Sequence, residues 1–308
     1  MTGKINQHMG VHEWALLIIL GGVWGATMFF TEIALVELQP FTLAFGRVLI
    51  AGLALWGAAR LFGHKLPFGL AAWGPFFILG ALNNALPFSL IMWGQTEITG
   101  SLASILNATT PLSAVIIAHF LTRDEKLSVG KIFGIFLGLA GVAVMIGLDA
   151  LQGLGLGILA QFAVIAAGIS YSFAGVYGRR FQGTPPIIVA SGQLIASSFL
   201  LLPCALLVDQ FWTLPNLLPA TWAALIAMAL LSTALAYLIY FQLLASSGAT
   251  NVLLVTFLVP VSAIFLGFVF LGERLEPQHI FGMVLIALGL AAIDGRAIKI
   301  FHTTNKNT

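Results

Sequence analysis

The sequence predicts an all-α polytopic membrane protein with ten transmembrane helices. The chain has 308 residues, of which 59% are hydrophobic and only 8% are charged, and its mean hydropathy is +1.03. A soluble domain carries about 25% charged residues to cover its surface, so most of this surface has to face lipid. The apolar residues also occur in runs long enough to cross a bilayer as a helix, which takes about 20 residues.

Ten such runs follow one another with short connections. They cover approximately residues 14–35, 40–62, 73–93, 101–121, 131–148, 155–178, 186–208, 219–243, 249–271 and 278–294. The strands of a membrane barrel would alternate apolar and polar residues over about 10 positions, whereas runs such as "ALLIILGGVWGATMFF" are continuous and longer. Helices are therefore predicted throughout, and they leave no room for a separate soluble domain.

The basic residues predict the orientation, because Lys and Arg concentrate in cytoplasmic loops. With the N-terminus inside, only Arg274 lies in an outer loop and only Arg47 lies within a span. The cytoplasmic segments hold the other cations, which are Lys4, Arg60, Lys65, Arg123, Lys126, Lys131, Arg179, Arg180, Arg296, Lys299 and Lys306. We therefore expect both termini in the cytoplasm. The net charge of +2 reflects this topology and indicates no binding to nucleic acid.

An internal repeat divides the chain into two halves. Each half contains a span with a central proline, Pro111 or Pro260, and Ser-Ala follows that proline two residues later. A Glu-Lys-Leu or Glu-Arg-Leu triplet and then Ile-Phe-Gly come next in both. We expect one five-helix repeat in residues 1–148 and a second in residues 149–308. Since five is odd, the second repeat must cross the membrane upside down, and inverted repeats with a site near the midplane are an architecture of secondary transporters.

These features resemble the drug/metabolite transporter superfamily, EamA type. The resemblance covers residues 14 to 294 and rests on the ten helices, the proline-containing fourth and ninth spans, and the "LGERL" segment followed by "LIALG". It implies export of amino acids and other small metabolites, aromatic amino acids among them. Arg47 in "FGRVLIAG" matches an arginine in the family's second span. Glu32 departs from the family, because many members carry a lysine in the first span.

Hydrogen-bonding side chains form a band near the predicted midplane. The repeat pairs Asn84 with Ser232, and it pairs Asn107 with Thr256. We expect this band to line a water-filled cavity between the halves where the substrate binds. The candidate lining residues are Trp24, Thr27, Asn83, Asn84, Phe88, Ser104, Asn107, Ser170, Tyr171, Ser232, Thr233, Tyr237 and Thr256. The alternative is that each polar residue only joins two helices, at about 0.6 kcal/mol per interhelical bond.

Prolines and glycines add expectations about helix shape and packing. Pro111 and Pro260 are expected to kink their helices and to free a backbone carbonyl that needs a partner. Of the adjacent residues Asn83 and Asn84, one is expected to face the substrate path and the other to hydrogen-bond a neighbouring helix. Gly21 and Gly25 fit small-xxx-small packing, in which two helix backbones approach closely.

Glu32 and Arg47 are charged residues within consecutive antiparallel spans, near the predicted outer end. Opposite charges buried in a membrane normally pair. The sequence therefore predicts an ion pair between them, which acts either as an outer gate or as a static brace.

Other classes of function find little support. Ser170 in "GISY" matches a loose Gly-x-Ser pattern, but His119 and His279 lie at helix ends, too far away to serve as its base. Cys204 is the only cysteine, and no metal site, cofactor or channel filter is indicated. We expect a secondary transporter of the inner membrane that exports small metabolites, among them apolar and aromatic amino acids, by alternating access. Its partners are then a small-molecule substrate and the lipid bilayer. An exporter of hydrophobic drugs and cations with the same fold is the alternative.

Overall fold

The structure, a computed structural model, describes residues 10–67, 69–122, 129–146, 155–214, 216–252 and 255–294, and the regular structure in these ranges is helical throughout. The α-helices are α1 (Val11–Ala34), α2 (Pro40–Leu61), α3 (Leu70–Gly80), α4 (Leu86–Gly94), α5 (Gly100–Asn107), α6 (Thr110–Leu121), α7 (Val129–Ile146), α8 (Leu156–Gly178), α9 (Pro186–Leu207), α10 (Pro219–Ala229), α11 (Ala236–Val252), α12 (Val255–Leu266) and α13 (Pro277–Asp294). Stretches of π-helix occupy Ala81–Ala85, Leu230–Leu235 and Gly267–Leu271.

The helices support the predicted membrane spans. Seven described helical stretches are long and apolar enough to cross a bilayer, namely Val11–Ala34, Pro40–Leu61, Ala72–Gly94, Gly100–Leu121, Leu156–Phe181, Pro186–Leu207 and Pro219–Tyr240. The other three predicted spans coincide with the shorter apolar helices Val129–Gly141, Leu258–Leu271 and Pro277–Gly289. The all-helical membrane fold is confirmed. The count of ten crossings remains a prediction, and both chain termini lie outside the described residues.

Prolines and glycines set the ends of several helices. Pro40 and Pro219 stand at the first positions of α2 and α10, where a missing N–H costs nothing because that group has no partner inside the helix. Gly63 follows α2 with φ 77°, and Gly272 follows the third π-helical stretch with φ 68°. Glycine adopts this left-handed conformation without the clash that a Cβ would cause.

The helices pack as two related halves. α2 contacts α9 and α7 contacts α13, and each pair joins equivalent spans of the two repeats. α1 contacts α12 in the same way that α8 contacts α6. α1 also contacts α10 and α11, which form the eighth predicted span. The equivalent helix of the second half, α8, contacts α3 and α4, which form the third predicted span. Exchanging the halves therefore reproduces the main helix contacts, as expected of an internal repeat.

Gly21 and Gly25 bring α1 against α12, as predicted. Ser262 Oγ donates to the carbonyl of Gly21 at 2.8 Å. A Cβ added at Gly25 would lie 2.7 Å from the carbonyl oxygen of Val259 and 2.9 Å from the amide nitrogen of Ala263. Only a residue without a side chain permits this approach of two backbones.

Candidate functional site

Two stretches of π-helix lie at repeat-equivalent positions in the third and eighth spans. In the first, the amide of Leu86 donates to the carbonyl of Ala81; in the second, the amide of Ala236 donates to the carbonyl of Leu231. Well under 1% of residues are π-helical, and such turns occur often at functional sites. The predicted midplane band is therefore built around a matched irregularity in the two halves.

Serine side chains satisfy carbonyls near these turns. Ser170 Oγ on α8 donates to the carbonyl of Leu82 at 2.7 Å, and Ser232 Oγ donates to the carbonyl of Val23 on α1 at 2.8 Å. The widened turn that contains Leu82 leaves carbonyl groups without their usual helical donor, and in a bilayer they need another partner; Val23 lies in regular helix, so there the turn supplies the donor. Both serines, predicted to line a cavity, are buried and bridge helices in this conformation.

The two amides of "ALNNALPFSL" have different surroundings. Asn84 is fully buried; its Nδ2 donates to Ser197 Oγ at 3.2 Å, and its Oδ1 accepts from the hydroxyl of Tyr237 at 3.0 Å. Asn83 is half-buried, and its Nδ2 donates to Gln193 Oε1 at 3.0 Å. Asn83 Nδ2 also donates to the Tyr237 hydroxyl at 3.3 Å, so both amides contact neighbouring helices, and Asn83 is the less enclosed of the two. The placement of one of these amides on a cavity wall stays a prediction.

The sequence reasoning missed two members of this network, Gln193 and Ser197 on α9. Ser197 Oγ also donates to the carbonyl of Gly80 at 3.0 Å, which ties α9 to the end of α3. Both residues are nearly or fully enclosed. Their spacing of four places them on one face of a helix, so the polar residues of "SGQLIASS" were a signal that this face of the seventh span meets the amides.

Arg47 lies in the band and makes no ion pair with Glu32. Its Nε donates to Thr233 Oγ1 at 2.8 Å, and its guanidinium carbon lies 3.9 Å from the centre of the Phe88 ring. Its side chain is 6% exposed. The predicted pair is wrong because the rotation of α2 directs the guanidinium toward the π-helical turn of the second half.

Glu32 instead contacts the beginning of α5. Its Oε2 accepts from the amide of Gly100 at 3.0 Å, and Glu273 Oε2 accepts from the next amide, that of Ser101, at 3.1 Å. Glu32 of the first half and Glu273 of the second half therefore meet at the same helix N-terminus. Helix N-termini present free amides and a positive dipole end, which carboxylates stabilise.

Two further carboxylates at the predicted outer end each contact a helix N-terminus of the opposite half. Glu37 accepts from the amide of Leu218, just before α10, at 2.9 Å. It also accepts from the hydroxyl of Thr221, within the first turn of α10. Asp209 accepts from the amide of Thr42 in α2 at 2.6 Å. We call Glu32, Glu37, Asp209 and Glu273, with the helix N-termini that they contact, the outer clasp.

The remaining aromatic candidates form two groups. Tyr171 and Tyr237 are partly buried and pack with Phe88 in the same apolar cluster. Trp24 belongs to a different cluster, and its ring centre lies 5.8 Å from that of Tyr240. The structure therefore brings Tyr171 and Tyr237 to the Arg47 site and places Trp24 to one side.

Four further polar candidates for the cavity lining, on α1, α5 and α12, make no described side-chain contact with Arg47 or with the two amides. Ser104 is fully buried and donates to the carbonyl of Ser101 in its own helix at 2.7 Å, so it lines no open space here. The oxygens Thr27 Oγ1 and Asn107 Oδ1 are enclosed without a hydrogen-bond partner. Thr256 lies in α12, but its side chain is outside the described residues.

The two prolines differ in their effect. The helix is interrupted between α5 and α6, just before Pro111, as a missing amide N–H predicts. α12 is helical through Pro260. The expected disruption therefore appears at Pro111, and Pro260 leaves its helix unbroken.

The described residues contain no group of three or more His, Cys, Asp or Glu side chains that could hold a metal ion. The hydroxyl of Ser170, the nucleophile of the enzyme alternative, donates to the Leu82 carbonyl. Among the described residues, the band offers hydrogen-bond donors and acceptors, aromatic rings and the buried cation of Arg47.

Comparison with known proteins identifies the architecture. The model of the EamA-like transporter family matches twice, over residues 12–147 and 158–293. An uncharacterized transporter of Bacillus subtilis, YoaV, is 23% identical over 87% of this chain and 91% of its own. The protein PecM of Dickeya dadantii is 26% identical over 92% of both chains. The uncharacterized inner membrane transporter YedA of Escherichia coli K12 is 26% identical over 87% of this chain and 88% of its own. One crystal structure of a protein covers 92% of this chain and 97% of its own with a TM-score of 0.65 and 20% identity, which supports the fold alone.

Proposed function

Since the chain belongs to the EamA-like transporter family, it is a multi-pass membrane transporter, and we propose that it exports small metabolites, among them apolar and aromatic amino acids. The observation that carries this proposal is the half-buried set of Asn83, Tyr171 and Tyr237 beside two matched π-helical turns. A transported molecule needs polar side chains near the membrane midplane that bind it, but weakly enough for it to be released. Neutral amide and hydroxyl groups meet that need, and aromatic rings supply the apolar wall that ligand sites usually have.

The proposed mechanism is alternating access, with the halves rocking about the band. The outer clasp supports it, because Glu37 of the first half contacts α10 of the second, and Asp209 of the second contacts α2 of the first. With these contacts made, the halves are held together at the predicted outer end. Opening outward would break them, which a substrate that binds the opened state more tightly can drive.

The proposed topology has ten spans, both termini in the cytoplasm and two inverted repeats divided near residue 148. The distribution of the basic residues supports the orientation, and the double match of the family model supports the two repeats. The name of the relative YedA supports an inner-membrane location. Single cysteines at exposed Arg180 and Glu97, in a chain with Cys204 replaced by Ser, test it. An impermeant thiol reagent should modify only the cysteine at position 97 in intact cells, and the reverse result would overturn the orientation.

Flux into liposomes tests the transport activity itself. Purified protein should accelerate the movement of labelled phenylalanine and leucine over that in protein-free liposomes, and cationic dyes should show no acceleration. Running the assay with and without a proton gradient also measures coupling. Transport of dyes without amino acids would overturn the proposed substrate class in favour of a drug exporter, and absence of flux for both would overturn the proposed export.

A further inference from the structure

Arg47 is a buried cation whose hydrogen-bonding capacity is largely unused. Within the described residues its partners are the hydroxyl of Thr233 and the ring of Phe88, and both are neutral. A guanidinium carries five N–H donors. Only the Nε donor is used, so the two terminal nitrogens, with two donors each, remain available.

These terminal nitrogens are not fully enclosed. Neither is among the enclosed polar atoms that lack a partner, although the residue as a whole is only 6% exposed. Tyr171 and Tyr237 are partly buried and pack in the same apolar cluster as Phe88, the ring that the guanidinium contacts. Both terminal nitrogens therefore keep some exposure beside these aromatic residues.

The carboxylates of the surrounding helices are engaged elsewhere. Glu32 accepts from the amide of Gly100, Glu37 from that of Leu218, and Asp209 from that of Thr42. A charged side chain inside a membrane is costly and is normally paired. Among the described residues nothing neutralises Arg47, so the site is suited to an anion from outside the chain.

The geometry indicates which anion fits. The two terminal nitrogens of a guanidinium form parallel hydrogen bonds to the two oxygens of a carboxylate. A phosphate monoester would bring close to two negative charges to a single cation among apolar rings. A carboxylate brings one charge, and Phe88 and Tyr171, which share an apolar cluster, can contact the apolar body of such a molecule.

We propose that Arg47 binds the carboxylate of the transported molecule, which makes this a transporter of monocarboxylates with an apolar or aromatic body. This inference rests on the proposed transport function and names the chemical group that its site selects. The carboxylate binds at the terminal nitrogens, and Thr233 fixes the guanidinium from the other side through Nε. An ammonium group is tolerated but not required, since no described carboxylate reaches this part of the band.

A matched series of ligands tests the assignment on the wild-type protein. Phenylalanine and 3-phenylpropionate share the carboxylate, whereas phenylalaninamide and phenethylamine share the ring without it. Competition against labelled phenylalanine uptake in liposomes should be at least tenfold stronger for 3-phenylpropionate than for phenylalaninamide or phenethylamine. If the amide or amine competes as well as the acid, the carboxylate anchor is overturned while transport stands. Absence of phenylalanine uptake overturns the proposed function and the anchor together.

Two substitutions on α2 provide the matched comparison. Arg47→Gln should abolish the preference for 3-phenylpropionate over phenylalaninamide in a binding assay by thermal shift. Arg60→Gln should preserve it, because Arg60 is exposed and lies over the Trp56 ring, 5.2 Å from its centre. Arg47→Lys, which keeps the charge without the planar fork, should retain part of the preference. Should Arg47→Gln fail to fold, the ligand series on the wild-type protein decides; a folded Arg47→Gln with the full preference would overturn the anchor.

Discussion

Thr233 holds the guanidinium of Arg47 through one hydrogen bond of 2.8 Å from Nε to Oγ1. Thr233 belongs to the π-helical turn of the eighth span, and its hydroxyl also contacts the carbonyl of Met228, five residues earlier, at 3.1 Å. The irregular turn of the second half therefore positions a cation of the first half.

Replacing Thr233 by Val removes the only described side-chain oxygen that accepts from Arg47. We expect Thr233→Val to lower the free energy of unfolding by about 1.5–3 kcal/mol, the usual range for a hydrogen bond to a charged group. Thr233→Ser keeps the hydroxyl and should be much less destabilised. Denaturant unfolding in detergent measures both, and equal stability of the Val variant and the wild type would show that the bond contributes little.

Neutralising Glu32 and Arg47 together should give additive effects. The two side chains contact different residues, Glu32 at the start of α5 and Arg47 at Thr233, and changes without shared partners usually add within about 0.3–0.5 kcal/mol. The unfolding free energies of Glu32→Gln, Arg47→Gln and the double variant test this. An ion pair would instead make the double variant nearly as stable as the wild type.

Asn84 and Ser197 should be coupled in a double-mutant cycle. Their direct bond of 3.2 Å joins the third and seventh spans, and such bonds in membrane proteins average about 0.6 kcal/mol. We expect a coupling of that size between Asn84→Ala and Ser197→Ala in unfolding measurements. Ser198→Ala is the control, because its Oγ donates within its own helix to the carbonyl of Ile195. Equal coupling to Ser197 and to Ser198 would contradict the assigned contact.

Gly25 and Gly22 offer a matched pair on α1. A methyl group at Gly25 would collide with the α12 backbone near Val259 and Ala263, whereas one at Gly22 would meet nothing within 4 Å. Gly25→Ala should therefore reduce the yield and thermal midpoint of the folded protein, and Gly22→Ala should leave both unchanged or raise them slightly because alanine favours helix. Similar midpoints for the two variants would show that α1 and α12 are not so closely packed.

The sequence predicted helix positions well because long apolar runs mark them directly. It also predicted the close approach at Gly21 and Gly25, which follows from spacing along one helix. It failed where the answer depends on how helices rotate against one another. Arg47 was predicted to pair with Glu32, because adjacency along the chain was visible and the direction of each side chain was not.

The band itself was predicted in part. The repeat correctly drew attention to Asn84 and Ser232, and both lie at the matched π-helical turns. Their burial was not predictable, because a π-helical turn shifts the following residues around the helix and no local pattern announces that shift in the eighth span. Pro87 follows the first turn, but the second forms without a proline.

Access to Asn83 tests the central claim, alternating access to the band, most directly. Asn83→Cys in a chain with Cys204→Ser should react with an impermeant thiol reagent in both right-side-out and inside-out vesicles, and phenylalanine should slow both reactions. Ser197→Cys, at a fully buried position, should react in neither. Modification of the cysteine at position 83 from one side only, or from neither side, would contradict the account.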